Sequence, residues 1–396
     1  MAPRPQEGLL SVLSRRGAIA AAGGGIAALA LKPWASRAAA PLSPLVKQMG
    51  LAASAAIAAG ACPGIQLALA VNGSIRFSHG YGLSNLETRT PVGRGSIFRI
   101  GSLTKQFTAA AVLKLSEAGR VSLDDPAAKY LPFLRPLKPF SIRELLHQTA
   151  GLHSDETGAG PAGTTRRTQI DLAREIAAQP TPFDFDPGAA WLYSNANYIM
   201  LGAIVEALTG VSLAAALEAL VIRPVGLSHT AFDDPAEVVP GRASGYSAVD
   251  GKPARFANAD WLDLTQAGGA GAMRSSAEDL CRWHHALLGG RVLGREALAA
   301  MLAPGRLRDG RLSGANRFSP EDDHYGEVQY ASGLLVSPAS GRDPTILHFG
   351  AINGFAAVLE THLERRVTIA VLCNADMSPE LPFRAIRRAV AAATSP

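Results

Sequence analysis

Strand-like segments lie near both ends of this 396-residue chain, and helical patterns fill most of the sequence between them. Gly64–Val71 is apolar, the pair Asn72-Gly73 that follows is a strong signal for a tight hairpin, and Ile75–Tyr81 supplies the returning strand. Similar short runs return late in the chain, at Tyr330–Val336, Thr345–His348, Phe355–Glu360 and Val367–Cys373. The pattern predicts an α/β fold of the α+β type, with one antiparallel sheet built from the N- and C-terminal parts and flanked by helices.

Apolar residues at helical spacing predict a helix on either side of the strand segments and a series of helices between them. The predicted helices are Leu45–Ala59, Leu103–Glu117, Ile142–His147, Leu172–Ala178, Tyr198–Leu208, Leu213–Leu220, Ala277–Leu288 and Leu381–Ala392. The sheet is therefore expected from residues 60–100 and 328–396, with an inserted all-helical region at residues 101–327. Ligand sites favour such boundaries between structural units.

Residues 1–40 have the composition of an export signal rather than of a folded domain. The pair Arg15-Arg16 precedes a weakly hydrophobic Ala/Gly stretch, and small residues then supply a cleavage point. The pair resembles a twin-arginine signal, although Ala18 stands where such signals usually carry Phe. We expect a periplasmic or secreted protein, with an ordinary secretory signal or an uncleaved anchor as the alternatives.

The positive charge of the chain is concentrated in this same segment. It holds five basic residues and one Glu, a net +4 of the formal +5, so the remaining chain carries +1. A nearly neutral chain without a basic stripe does not fit nucleic-acid binding. Beyond the N-terminus no run of 18 apolar residues occurs, so we expect no membrane span in the mature chain.

The three cysteines, Cys62, Cys281 and Cys373, are far apart in the sequence and form no C-x-x-C pair or His/Cys cluster. This spacing does not fit a zinc site, and we expect no metal or other cofactor. If the first and last strands end side by side, Cys62 and Cys373 can pair. Their pairing is a hypothesis at this point.

Ser102 and Lys105 lie three residues apart at the start of an Ala-rich apolar helix. One helical turn separates them, so their side chains share a face. An adjacent amine can take the proton of a serine hydroxyl and make it a nucleophile, and burial weakens the preference of lysine for its charged form. Ser-x-x-Lys also arises by chance, and Ser is a common N-cap. Among the seven lysines, however, only Lys105 has Ser three residues upstream.

Two further short motifs carry polar groups suited to the same chemistry. Tyr193 and Asn195 are two residues apart in a segment expected to be extended, so they share a face; a phenol can relay a proton, and an amide can bind a substrate amide. His348 and Gly350 end a predicted strand, where the N–H of Ala351 can join that of Ser102 as an oxyanion hole. Each motif alone is also compatible with a structural role.

Together, Ser-x-x-Lys, Tyr-x-Asn and His-x-Gly resemble the signature of the serine β-lactamase-related hydrolases. These include class C β-lactamases, DD-carboxypeptidases of the low-molecular-weight penicillin-binding type, and related esterases and D-amino-acid peptidases. The resemblance covers residues 45–395, with supporting stretches at 145–152 and 267–280. It implies that residues 41–396 form one β-lactamase-like domain. Where the family usually has His-Thr-Ser-Gly, this chain has Gln148-Thr149-Ala150-Gly151, which we interpret as structural drift beside the site.

The resemblance implies a role for each motif residue. Ser102 would be the acylated nucleophile, Lys105 its base, and Tyr193 the group that protonates the leaving group and helps activate water. Asn195 would bind the acyl side of the substrate. The His348-Phe349-Gly350 segment would form the strand wall.

The third motif separates the subfamilies. Class C β-lactamases resemble this pattern but have Lys-Thr-Gly where this chain has His348-Phe349-Gly350, and the lysine helps hold a substrate carboxylate. His348, which takes the place of that lysine, is mostly neutral at pH 7. This favours a DD-peptidase-like or esterase-like serine hydrolase acting on a small-molecule or peptide acyl substrate. The alternatives are a β-lactamase and a catalytically silent penicillin-binding or sensor module. No Gly-x-Ser-x-Gly occurs, which disfavours an α/β-hydrolase elbow.

Overall fold

Both ends of the chain contribute to one sheet. The computed structural model describes residues 42–153, 165–320, 327–337, 344–376, 383–387 and 390, so the predicted export signal lies outside the described residues. The strands are β1 (Gly64–Val71), β2 (Ser74–Asn85), β3 (Thr90–Pro91), β4 (Phe98–Arg99), β5 (Ala231–Phe232), β6 (Tyr246–Ala248), β7 (Phe256–Asn258), β8 (Met273–Ser275), β9 (Gln329–Tyr330), β10 (Leu335–Val336), β11 (Thr345–Ile352), β12 (Phe355–His362) and β13 (Val367–Cys373).

The main sheet has eight antiparallel strands in the order β3-β2-β1-β13-β12-β11-β10-β9. The first long strand therefore lies beside the last one, which confirms the predicted α+β class. The β1–β2 hairpin turns at Asn72 and Gly73, which both have positive φ (51° and 75°), as the sequence predicted. Both faces of β1 and β13 are buried, because helices cover the sheet.

The helices account for most of the remaining described chain. They are α1 (Leu42–Ala58), α2 (Thr104–Glu117), α3 (Ile142–Leu146), α4 (Gln169–Ala177), α5 (Asn195–Thr209), α6 (Leu213–Leu217), α7 (Gly268–Gly271), α8 (Ala277–Leu288) and α9 (Arg295–Leu302). Residues 383–387 and 390 are also helical, inside the predicted final helix. Helix α1 packs on β1 and β2, and α8 packs on β1 and β13.

Helix α2 runs through the interior. Its residues from Thr104 to Leu113 are all buried, and Phe107 stacks on Trp283 of α8 with ring centroids 4.1 Å apart. A helix that is apolar around its whole circumference belongs in a core rather than on a surface. Any polar side chain in its first turn therefore lies where water has little access.

Three predicted elements differ from the structure. The inserted region is not all helical, because β4, β5 and β8 form a small sheet and β6 pairs with β7. Tyr330–Val336 is not one strand but β9 and β10, since Gly333 has a φ of +74° and the chain turns there. The strand predicted to end at His348 continues to Ile352, because its last residues pair with β12 across a tight turn.

Among the described residues, no single helix is long and apolar enough to cross a membrane. The bent pair Asn195–Thr209 and Leu213–Val225, which meets at 79°, passes the same criteria of length and composition only as a pair.

Candidate active site

Ser102 lies in a short 3-10 turn, Gly101–Leu103, that leads directly into α2. The hydroxyl of Thr104 donates to the carbonyl oxygen of Gly101 at 2.7 Å and closes this turn. Ser102 is 6% exposed, so little of it is accessible to solvent. Its position at the start of a helix places it near the positive end of the helix dipole.

Lys105 is fully buried, one turn along from Ser102. Its Nζ lies 3.0 Å from Ser102 Oγ, 2.8 Å from Asn195 Oδ1 and 2.9 Å from the carbonyl oxygen of Ala270. Burial lowers its pKa well below the ordinary 10.5, and no carboxylate among the described residues offsets that effect. The neutral amine is therefore strongly favoured relative to a lysine in water.

The three contacts of Lys105 fix where its lone pair points. The oxygens of Asn195 and Ala270 are carbonyl oxygens and can only accept hydrogen bonds. A neutral amine has two N–H groups, which these two acceptors use. The lone pair of the neutral amine then faces the third partner, Ser102, whose O–H can donate to it, whereas the protonated amine donates to all three oxygens. This is the arrangement that a general base needs before it removes the serine proton.

Tyr193 completes the polar centre from the other side of Ser102. Its hydroxyl hydrogen bonds with the Ser102 side chain, and its ring lies 4.7 Å from Lys105 Nζ. Burial and the neighbouring Tyr330 raise the pKa of Tyr193 well above 10. The phenol therefore holds its proton more tightly than a free tyrosine and Lys105 holds its proton less tightly than a free lysine. Such a divergence of two pKa values assigns an acid and a base.

Asn195 is the first residue of α5, whereas the sequence predicted an extended segment reaching through it. Ser194 before it is extended and occupies the N-cap position, although its side chain makes no capping hydrogen bond. Gln148, the residue that departs from the family pattern, accepts hydrogen bonds from the Ser194 N–H at 3.1 Å and from Asn197 Nδ2 at 2.5 Å. Gln148 thus positions the loop that carries Tyr193 and Asn195, a structural role that the interpretation as drift did not include.

Strand β11 passes directly beside the Ser102 turn. A Cβ at Gly350 would lie 2.0 Å from the Ile100 carbonyl oxygen and 3.3 Å from Ser102 N, and one at Gly101 would lie 2.7 Å from Ala351 N. Only glycines allow this approach. Ile352 and Phe355 flank a two-residue turn and pair directly. Hydrogen-bonded pairs alternate along an antiparallel ladder, so the Ala351 N–H points away from β12, toward the Ser102 turn.

His348 is buried and uncharged. Its Nδ1–H donates to the Phe349 carbonyl oxygen at 2.6 Å, so Nε2 carries the lone pair and accepts from the Tyr330 hydroxyl at 3.3 Å. Burial, with the nearby Lys105, lowers the pKa of His348 to about 3. This agrees with the expectation of a neutral side chain where class C β-lactamases carry lysine.

The sequence did not identify three groups of the site: Tyr330, Tyr198 and the carbonyl oxygen of Ala270. The Tyr330 ring lies 6.0 Å from the Tyr193 ring and 5.8 Å from the His348 ring. The Tyr198 hydroxyl donates to the Leu146 carbonyl oxygen, and its ring lies 5.7 Å from Lys105 Nζ. A backbone carbonyl has no side-chain signature, although Ala270 lies in the stretch 267–280 that resembles the family. No motif distinguished these tyrosines from core residues.

The structure therefore brings together Ser102, Lys105, Tyr193, Asn195 and His348, with Gly350 and Ala351 on the adjoining strand. In the ranges that the structure describes, no three His, Cys, Asp or Glu side chains converge as metal ligands do. The polar groups of the site are instead a nucleophile (Ser102), a base (Lys105), an acid (Tyr193) and the two backbone N–H donors of Ser102 and Ala351. These are the groups of a serine acyl-transfer site.

Comparisons with known proteins agree with this geometry. The family model described as Beta-lactamase matches residues 51–393. The chain is 25% identical to Penicillin-binding protein 4* of Bacillus subtilis (strain 168) over 326 residues, 78% of this chain and 68% of that protein. It is 28% identical to Protein flp of Staphylococcus aureus (strain N315) over 320 residues, 80% of this chain and 60% of that protein. It thus spans less than two thirds of the second relative.

Among solved structures, the D-stereospecific amidohydrolase from Streptomyces sp. matches with a TM-score of 0.71 and 28% identity. The match covers 86% of this chain and 97% of that one. Together with the family match, it confirms the predicted β-lactamase/DD-peptidase-like fold.

Proposed function

Because the chain belongs to the Beta-lactamase family of serine hydrolases, we propose that it cleaves an ester or a small amide through an acyl-enzyme on Ser102. The observation that carries this proposal is the contact set of Lys105. A fully buried amine whose two other partners are carbonyl oxygens directs its lone pair at the Ser102 hydroxyl. No structural role requires this arrangement.

Acylation starts with that hydrogen bond. Ser102 Oγ attacks the substrate carbonyl carbon while Lys105 Nζ takes the hydroxyl proton. The carbonyl oxygen becomes an oxyanion between the N–H groups of Ser102 and Ala351. Each such donor typically contributes a factor of about 10²–10³ to the rate.

Departure of the leaving group needs a proton, and Tyr193 is the residue placed to give it. Its raised pKa keeps the phenol protonated, and Lys105, now charged, lies against its ring and can restore the lost proton. Deacylation reverses the roles. Lys105 takes a proton from water as it attacks the ester carbonyl, Tyr193 gives its proton to Ser102 Oγ as that oxygen leaves as the hydroxyl, and Lys105 returns a proton to Tyr193.

The neutral His348 bears on the substrate class. A substrate carboxylate at this wall would face an uncharged imidazole whose lone pair is already used by Tyr330. The wall therefore supplies no positive charge to a substrate carboxylate, which fits esters and D-amino-acid amides better than penicillins and requires the carboxylate of a DD-peptide to be held by another group. The Streptomyces relative is a D-stereospecific amidohydrolase. On this basis we propose D-amino-acid amides and peptides as the leading amide substrates, and a DD-peptidase-like or esterase-like activity.

We also propose that the protein is exported. The support is the pattern of residues 1–40, with Arg15-Arg16 before an Ala/Gly-rich apolar stretch.

The proposal is tested by comparing three substrates, an activated ester, a D-amino-acid amide and a penicillin, with the wild type and Ser102→Ala. We expect turnover of the ester and the amide, slower or no turnover of the penicillin, and a loss of both activities in the variant. A penicillin as the best substrate would favour the β-lactamase alternative. A stable penicillin adduct without turnover of any substrate would favour the silent sensor module.

A further inference from the structure

Two cysteines from opposite ends of the chain meet at the centre of the main sheet. Cys373 is the last residue of β13 and pairs with Ile65 of β1, while Cys62 lies two residues before β1 begins. The Asn374 N–H donates to the Gly64 carbonyl oxygen at 3.3 Å, which holds the two strand ends together. The condition that the sequence set for pairing, adjacent ends of the first and last strands, is met.

The two thiols are also in contact. The side chains of Cys62 and Cys373 interact with each other, and both are buried, with 1% and 0% of their surface exposed. They are free thiols in this structure. The third cysteine, Cys281, is buried elsewhere and donates to the Thr368 carbonyl oxygen at 3.9 Å.

We propose that Cys62 and Cys373 are a site of covalent modification, where oxidation joins them in a disulfide across β1 and β13. The two S–H bonds break and one S–S bond forms, with the release of two protons and two electrons. The oxidant is a disulfide compound, such as oxidised glutathione or a disulfide oxidoreductase, which is reduced to two thiols.

The surroundings determine when the bond forms. The interaction with Cys62, together with burial, raises the pKa of Cys373 well above 9, and the thiolate is the reactive form. A folded protein therefore reacts slowly, and the bond forms while the chain folds. Once formed, it closes a loop of about 310 residues, the long-loop case in which a cross-link restricts the unfolded chain most.

The bond would fix the ends of β1 and β13, two neighbouring inner strands of the sheet that carries the active-site wall. β13 pairs with β12, and β12 pairs with β11, which holds His348 and Ala351. The inference does not depend on the proposed catalytic activity.

The test is to unfold the reduced full chain, refold it with oxidised and reduced glutathione, and alkylate the remaining thiols. We expect an intact mass 2 Da lower before alkylation, a single alkylated cysteine at Cys281, and a cross-linked peptide pair that contains Cys62 and Cys373. The oxidised protein should melt about 5–8 °C above the reduced protein. Three alkylated cysteines, or a bond that includes Cys281, would overturn the proposal.

Two variants serve as matched controls. Cys281→Ala should keep the mass change and the rise in melting temperature, whereas Cys62→Ala should lose both. The thiol count of the wild-type protein decides the question by itself if Cys62→Ala does not fold.

Discussion

The contact between β11 and the Ser102 turn gives a direct test of the site geometry through Gly350→Ala. A Cβ at this position would lie 2.0 Å from the Ile100 carbonyl oxygen, and real Cβ atoms essentially never come closer than 3.0 Å to a neighbouring heavy atom. The strand or the turn must therefore move by about 1 Å. Gly350 has no positive φ, so alanine itself brings no backbone strain.

This displacement separates the two proposed oxyanion donors, Ser102 N–H and Ala351 N–H. A misplacement of about 1 Å can cost about 100-fold in rate, and the loss of one oxyanion donor about 10²–10³-fold. We expect kcat/KM for an activated ester to fall about 100-fold, mainly through kcat. Overpacking at the same contact should destabilise the fold by about 1–3 kcal/mol.

Gly93→Ala is the matched control, because a Cβ there would meet no atom within 4 Å. Initial rates of ester hydrolysis and thermal unfolding curves should be measured for both variants and the wild type. We expect Gly93→Ala to match the wild type in both measurements. If Gly350→Ala keeps kcat/KM within about threefold of the control, β11 does not form the wall that the reaction uses.

Three further predictions follow from the pKa shifts. Lys105→Met should lower kcat about 10²–10⁴-fold because the base is lost. It should also raise the melting temperature at pH 7, because the lysine is charged in the unfolded chain and disfavoured as a cation in the folded protein. This gain in stability shrinks as pH rises toward the unfolded pKa of about 10.4, so an equal gain in melting temperature at pH 7 and pH 10 would contradict the reasoning. The kcat/KM profile should rise with pH as Lys105 loses its proton and show no second ionisation from His348, whose pKa is about 3; a His348→Asn variant whose acidic limb shifts would disprove this. Tyr193→Phe should reduce amide hydrolysis more than hydrolysis of an activated ester, whose leaving group needs no proton, with Tyr130→Phe as the surface control; equal losses on both substrates would exclude Tyr193 as the acid.

The sequence predicted the elements that periodicity and turn chemistry specify locally. β1, β13 and α8 have the predicted bounds, and the Asn72-Gly73 turn has the predicted positive φ angles. Strand pairs at the two ends of the chain were enough to predict the antiparallel sheet.

What the sequence missed depends on contacts between distant residues. β11 continues through Gly350 because its last residues pair with β12, and only the absence of a side chain lets that glycine lie against the Ser102 turn; the second contact is visible only when the two segments meet. In the sequence, Tyr330 cannot be distinguished from an ordinary core residue of a strand. Only the structure shows that its hydroxyl hydrogen bonds with His348 Nε2. The carbonyl oxygen of Ala270 belongs to the backbone, so no side chain reports its contact with Lys105.

The central claim is that Ser102 carries the acyl group, and intact-mass measurement of the trapped intermediate tests it most directly. The protein is mixed with an activated ester, quenched in acid within seconds, and digested to locate the adduct. We predict a mass increase equal to the acyl group on the peptide that contains Ser102, in the wild type and in Tyr193→Phe, and none in Ser102→Ala. An adduct on any other residue, or turnover that persists in Ser102→Ala, would contradict the claim.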